Sequence, residues 1–119
     1  MAQTPFDRYG GFASVSRIVS EFYDKVLDSP LLAEYFQNVD MRSVIDHQTK
    51  FIASIMGGPA SYSNDHLERV HANLGISEEA FDEAVALLRE TFEDFDVDES
   101  DIALILQDVK GRRKFIVIP

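Results

Sequence analysis

Apolar residues recur along most of the chain three, four and seven positions apart, the spacing of helices that bury one stripe. Pro5 to Tyr9 reads as a short helix stopped by Gly10-Gly11. "ASVSRIVSEFYDKVLD" then sets Val15, Ile18, Val19, Phe22, Tyr23, Val26 and Leu27 on one stripe. Ser29 as N-cap and Pro30 at the first helical position open a short element over Leu31–Phe36. "MRSVIDHQTKFIASIM", Met41 to Met56, aligns Met41, Val44, Ile45, Phe51, Ile52 and Ile55, and ends at Gly57-Gly58-Pro59, which no helix continues through. "HLERVHANLG" is a short helix with Leu67, Val70, His71 and Leu74 in register. "ISEEAFDEAVALLRETFEDF" is a long one, capped by Ser77 and aligned through Phe81, Ala84, Val85, Leu88, Phe92 and Phe95. "VDESDIALILQDVK" starts at Asp98 as N-cap and buries Ile102, Ile105, Leu106 and Val109. "KFIVIP" at the end is β-prone but has no partner strand. The pattern predicts an all-α protein, and with no repeat or linker, 119 residues make one domain, 1–119.

Composition narrows the picture only in places. A net charge of −10 disfavours unspecific nucleic-acid binding. The exception, "KGRRK" at Lys110–Lys114, reads as part of a basic C-terminal tail over 110–119 that suits a helix dipole, with a nucleic-acid or acidic-lipid contact as a minor alternative. No cysteine is present, which excludes disulfides, thiolate metal ligation and c-type haem attachment. No apolar run approaches the roughly 20 residues of a membrane span, and "MAQTPFDRYGG" lacks the basic start and apolar centre of a secretory signal. The expectation is a cytoplasmic protein with neither membrane nor nucleic acid as partner.

Three predicted helices carry polar residues on their apolar stripes. Tyr23 is in register with Val19 and Val26, His47 and Gln48 with Val44 and Phe51, and His71 with Leu67 and Leu74. Such a placement is tolerable only where the polar atom finds a partner, because an unpaired buried amide or hydroxyl costs roughly 1–3 kcal/mol. Taken singly, each has an ordinary reading: a buried tyrosine ring whose hydroxyl meets a carbonyl, a histidine satisfied at the core boundary, a glutamine capping a turn. His66, five positions before His71, falls largely on the other side of its helix and reads as solvent-exposed.

Several chemistries fail against this set. No Walker loop or GxGxxG occurs, and no nucleophile elbow. Glu68-x-x-His71 is half of a bundle di-iron site, but no second copy exists. The abundant acids lie mostly on exposed faces and read as solvation. A haem accounts for all four residues: a neutral imidazole on a helix supplies the axial donor, a phenol and an amide hydrogen-bond a bound ligand, and Phe and Ile walls exclude water.

These residues resemble the truncated haemoglobins, specifically group I, over nearly the whole chain. The resemblance is carried by "YGG" at Tyr9–Gly11, "EFYDKVL" at Glu21–Leu27, "YFQNVDM" at Tyr35–Met41, "HQTKFIASIMGGP" at His47–Pro59 and "LERVHANLGI" at Leu67–Ile76. It implies a two-over-two globin-like helical sandwich around non-covalent haem b, iron protoporphyrin IX. On these positions His71 matches the proximal iron ligand, Tyr23 the distal tyrosine, Gln48 a distal amide, and Phe36 the phenylalanine packed on the haem. Val44 stands where many globins place a distal histidine or glutamine. Phe51 and Ile52 fall on the distal pocket or ligand route, and Leu67 among the haem contacts. His47 departs from the cation usual in group I and is similar to cyanobacterial and algal relatives in which a distal histidine ligates the iron. It is therefore a candidate second iron ligand, the alternative being a propionate or water contact. No histidine follows His71 to form the covalent haem link of some of those relatives.

The resemblance implies a haem protein binding O2, NO and CO. The expected chemistry is oxygen binding and dioxygenation of nitric oxide to nitrate, an enzymatic activity that depends on an external reductase, since the chain carries no flavin or nicotinamide domain. A six-coordinate haem for electron transfer or for redox or gas sensing is the alternative, and a haem-free helical interaction module is a third reading.

Overall fold

A computed structural model describes residues 4–59 and 75–117, and over these the chain is helical, without a strand. Thr4 caps α1 (Pro5–Arg8), its hydroxyl accepting from the Asp7 N–H at 3.2 Å. α2 (Gly11–Asp28) follows Gly10, whose φ of 106° lets the chain turn directly from one helix into the next. Pro30 starts α3 (Pro30–Ala33), which tightens into a 3-10 turn over Glu34–Phe36. α4 (Met41–Ile55) is capped by the Asp40 carboxylate. α5 (Glu78–Asp94) is capped by Ser77, whose Oγ accepts from the Ala80 N–H at 3.0 Å. α6 (Glu99–Gly111) and the single turn α7 (Arg113–Ile116) complete the described chain.

α2 packs against both α4 and α5, and α5 against α6, so that two helix pairs, α2/α4 and α5/α6, face each other. This is the two-over-two sandwich expected from the sequence. Val15, Ile18, Val19, Tyr23 and Val26 face the core from α2, as the stripe predicts, but Leu27 at its edge is exposed and Phe22 half-buried. Ile102, Ile105, Leu106 and Val109 are buried on α6 as expected.

The glycines after α4 hold the N-terminus in place. The Phe6 N–H donates to the Met56 carbonyl at 3.0 Å, laying the buried Phe6 ring against Gly58. A Cβ at Gly58 would stand 2.6 Å from that ring, so close approach is what requires glycine there.

Two expectations fail for physical reasons. Asp101 is not a solvated acid: it is 6 % exposed, and its carboxylate accepts from the Tyr9 hydroxyl at 2.7 Å and the Arg8 guanidinium at 3.0 Å. The Tyr9 hydroxyl in turn accepts from the Asp98 N–H; Asp98 is the N-cap residue of α6 as expected, though its side chain makes no capping hydrogen bond. The basic tail expected over 110–119 is, through 117, not a solvated tail. Arg112 pairs with Asp108, Arg113 with Glu78 and Asp82, and Ile116 is buried. An arginine beside two carboxylates and an apolar residue one turn on make a docked helical turn rather than a β-prone end.

Candidate functional site

Between the two helix pairs lies a cavity of about 310 Å³, within the roughly 300–1,000 Å³ range of small-molecule and cofactor sites. α2 contributes Val19, Phe22, Tyr23 and Val26, and the α3 region Leu32, Tyr35 and Phe36. α4 contributes Ser43, Val44, His47, Gln48, Phe51 and Ile52, spaced three and four apart so that successive turns present them to one side. Ile76, Ala80, Phe81, Ala84, Val85 and Leu88 form the opposite wall, and Val109 and Ile116 complete the lining.

Among the described residues, five side chains with polar atoms interrupt this apolar lining, and they come from α2, α4 and the 3-10 turn between them. Tyr23 is 7 % exposed, and its ring packs edge to face on Phe22, centroids 4.9 Å apart, and on Phe36, 5.6 Å apart. Two aromatic edges thus fix the direction of the phenol. Tyr35 ties the turn to the start of α5: its hydroxyl donates to the Gly75 carbonyl (3.5 Å) and accepts from the Ser77 N–H (3.4 Å).

His47 and Gln48 do border the cavity, but not as buried stripe residues: His47 is exposed and Gln48 half-buried. The buried residues of α4 are Thr49, Phe51, Ile52 and Ala53, followed by Met56. The cavity-facing stripe runs from Ser43 to Ile52, its N-terminal members exposed or half-buried at the rim and Phe51 and Ile52 buried deeper in the wall. Thr49 is satisfied inside its own helix, donating to the Ile45 carbonyl at 2.7 Å. The expected proximal ligand His71 and the haem contact Leu67 lie outside the described residues, as do His66 and Glu68.

The lining fits a haem. Among the described residues no group of three histidine or acidic side chains could hold a bare metal ion. The lining as a whole, apolar with Tyr23, His47 and Gln48 set into it, suits an iron held in a porphyrin, which needs one or two imidazoles from protein. The apolar walls suit the ring faces and exclude water. Sequence reasoning missed Val85, Val109, Ile116 and Tyr35 as site residues. Val85 and Val109 were legible only as core, since an apolar side chain facing a cavity and one facing a neighbour follow the same periodicity, and Ile116 lies in the segment that reads as a β-prone end.

Comparison with known proteins agrees. The sequence matches the bacterial-like globin family over residues 4–117. It is 27 % identical to the group 1 truncated hemoglobin of Tetrahymena thermophila, over 93 % of this chain and 92 % of that protein. It is 30 % identical to the group 1 truncated hemoglobin GlbN of Synechocystis, over 84 % of each. The fold superposes on the Fe(III) truncated hemoglobin of Tetrahymena pyriformis with a TM-score of 0.88 at 26 % identity, covering 98 % of this chain and all of that one. With the 2/2 hemoglobin of Synechococcus, solved with covalently attached heme, the TM-score is 0.83 at 25 % identity, over 97 % and 98 % of the two chains. Sequence, fold and cavity converge: the chain belongs to the bacterial-like globin family as a group 1 truncated haemoglobin, a haem-b protein that binds diatomic gas.

Proposed function

We propose that this globin binds dioxygen and converts nitric oxide to nitrate, one electron per turnover coming from a separate reductase. The balance is one nitric oxide, one dioxygen and one electron to one nitrate. The observation that carries the reading is the placing of Tyr23, His47 and Gln48 on the walls of one apolar cavity. Bound haem supplies reversible ligand coordination and one-electron redox chemistry. His71 is the residue proposed to hold its iron from the proximal side. The Tyr23 hydroxyl and the Gln48 amide are proposed to donate hydrogen bonds to the guest, the first oriented by Phe22 and Phe36. Val44, with no polar atom to offer, leaves the wall between them apolar. Phe36, Phe51 and Leu67 are proposed to pack on the porphyrin and keep water out.

A second reading, a six-coordinate haem for electron transfer or sensing, draws on His47 bordering the cavity one position before Gln48. In that reading its dissociation gates entry of the guest. One spectrum separates the two. Sharp, split visible bands in the reduced protein mean six-coordinate low-spin iron, lost in His47→Ala; a single broad band means an open site. Slow, weak carbon monoxide binding by a six-coordinate wild type would favour the electron carrier. A purified chain offered haemin that develops no Soret band would refute both readings, and retention of haem by His71→Ala would refute the assignment of the proximal ligand.

A further inference from the structure

The end of the described chain closes the cavity in a way that the haem chemistry does not use. Arg112 lies over the ring of Phe51, 5.3 Å from its centroid, and Arg113 over the ring of Phe81, 4.7 Å from its centroid. Phe51 and Phe81 are cavity walls on α4 and α5, each 3 % exposed. Two consecutive arginines therefore straddle the gap between the facing walls. One turn further on, Ile116 is itself a wall residue. The turn is held by the Val117 N–H donating to the Arg113 carbonyl at 2.8 Å, and that of Phe115 to the Arg112 carbonyl at 2.9 Å.

Burial of Ile116 and charge at the surface together fasten this turn. Arg113 pairs with Glu78 and with Asp82 (2.8 Å), carboxylates four residues apart on the first turns of α5. Arg112 pairs with Asp108 at 2.7 Å. The Arg113 side chain is 38 % exposed and its two acids more so, which leaves these pairs weak and open to salt screening. A four-residue helix has little stability of its own, so releasing the arginine leaves the burial of Ile116 as the turn's main anchor and lets it open more often.

We propose that residues 112–117 form a salt-sensitive strap over one end of the cavity, with Ile116 as the plug past which small apolar guests enter and leave. The kinetic test below rests on the gas-binding reading, while the strap itself does not.

The experiment is flash photolysis of the carbon monoxide complex of the reduced, haem-loaded protein, following the fraction that escapes rather than rebinding geminately. Arg113→Gln, or raising salt from about 0.05 to about 0.5 M in wild type, should raise escape through the strap roughly two- to five-fold, the effect of losing exposed ion pairs. Salt should have little further effect on Arg113→Gln. Ile116→Ala should raise escape again, and Ile116→Trp lower it. Amide exchange at Val117 should quicken with salt in parallel, without haem being needed. Unchanged escape in both Arg113→Gln and high salt, with the Soret band and helicity intact, overturns the strap. So does faster Val117 exchange with unmoved escape, since the turn is then merely structural. Xenon, which enters apolar cavities without iron, separates the failures. A missing Soret band overturns the haem reading alone, and xenon exchange equal in wild type and Arg113→Gln overturns the strap.

Discussion

Removing the haem should cost this protein a large part of its stability. The cavity of about 310 Å³ lies between the helix pairs, walled by residues that also form the core, among them Val19, Phe51, Ile52, Phe81 and Leu88. At about 24 cal/mol per Å³ of unfilled volume, an unrelaxed hole of that size is worth about 7 kcal/mol. Because the cavity opens to the surface, water and side-chain movement recover some of this, and the figure is an upper bound. A chain of 119 residues at roughly 0.05–0.15 kcal/mol per residue has only about 6–18 kcal/mol in total. Even half the penalty should lower the midpoint of thermal unfolding by more than about 10 °C, or broaden the transition until it is no longer cooperative. The assay is far-ultraviolet circular dichroism melting of holoprotein and acid-extracted apoprotein at equal concentration. Readdition of haemin should restore the midpoint. Midpoints that differ only by the few degrees about 1 kcal/mol would move, with equal cooperativity, would refute the reasoning: the cavity would then not be a hole that haem fills.

Three further outcomes are expected. Tyr23→Phe should leave the fold and Soret band unchanged but speed oxygen dissociation about three- to ten-fold, as loss of one hydrogen bond requires; an unchanged stopped-flow rate would remove the phenol from the ligand site. Gly58→Ala forces a methyl onto the buried Phe6 ring and should destabilise by about 1–3 kcal/mol in urea melts, whereas Gly111→Ala, with open space around it, should be neutral or slightly stabilising. The Arg8 guanidinium and then the Tyr9 hydroxyl, both hydrogen-bonded to Asp101, hold its carboxyl below the usual 3.8 against the opposing effect of burial. Its contribution is therefore fully present above that value and lost as pH falls through the lowered one. Asp101→Asn should cost about 1.5–3 kcal/mol at neutral pH for the charged hydrogen bond to Tyr9 and flatten the acid limb of the stability profile; an unaltered acid limb would show that this carboxylate is not linked to folding.

Local pattern carried most of the secondary structure, because helix periods, caps and stops act over a few residues. Ser77, Pro30 and the Gly57-Gly58-Pro59 stop need only their neighbours to take effect. The family-specific segments likewise made Tyr23, His47, Gln48 and Phe36 legible as one set, and the structure brings these four to the same cavity. What pattern could not supply is where the packed helices leave a gap. A stripe says which face of α4 turns inward, but not how deep each position sits beside a cavity that opens to the surface, so His47 reads as buried and is exposed. Leu27, which the stripe places inward, is left exposed by the packing, and Asp101 is buried because Arg8 and Tyr9 meet it across more than ninety positions. The strap at 112–117 is the fullest case, since its arginines find their carboxylates and rings only once α4, α5 and α6 have packed. Short-range preferences fix the helices; burial, charge pairing and the shape of the void belong to contacts that exist only after the chain has folded.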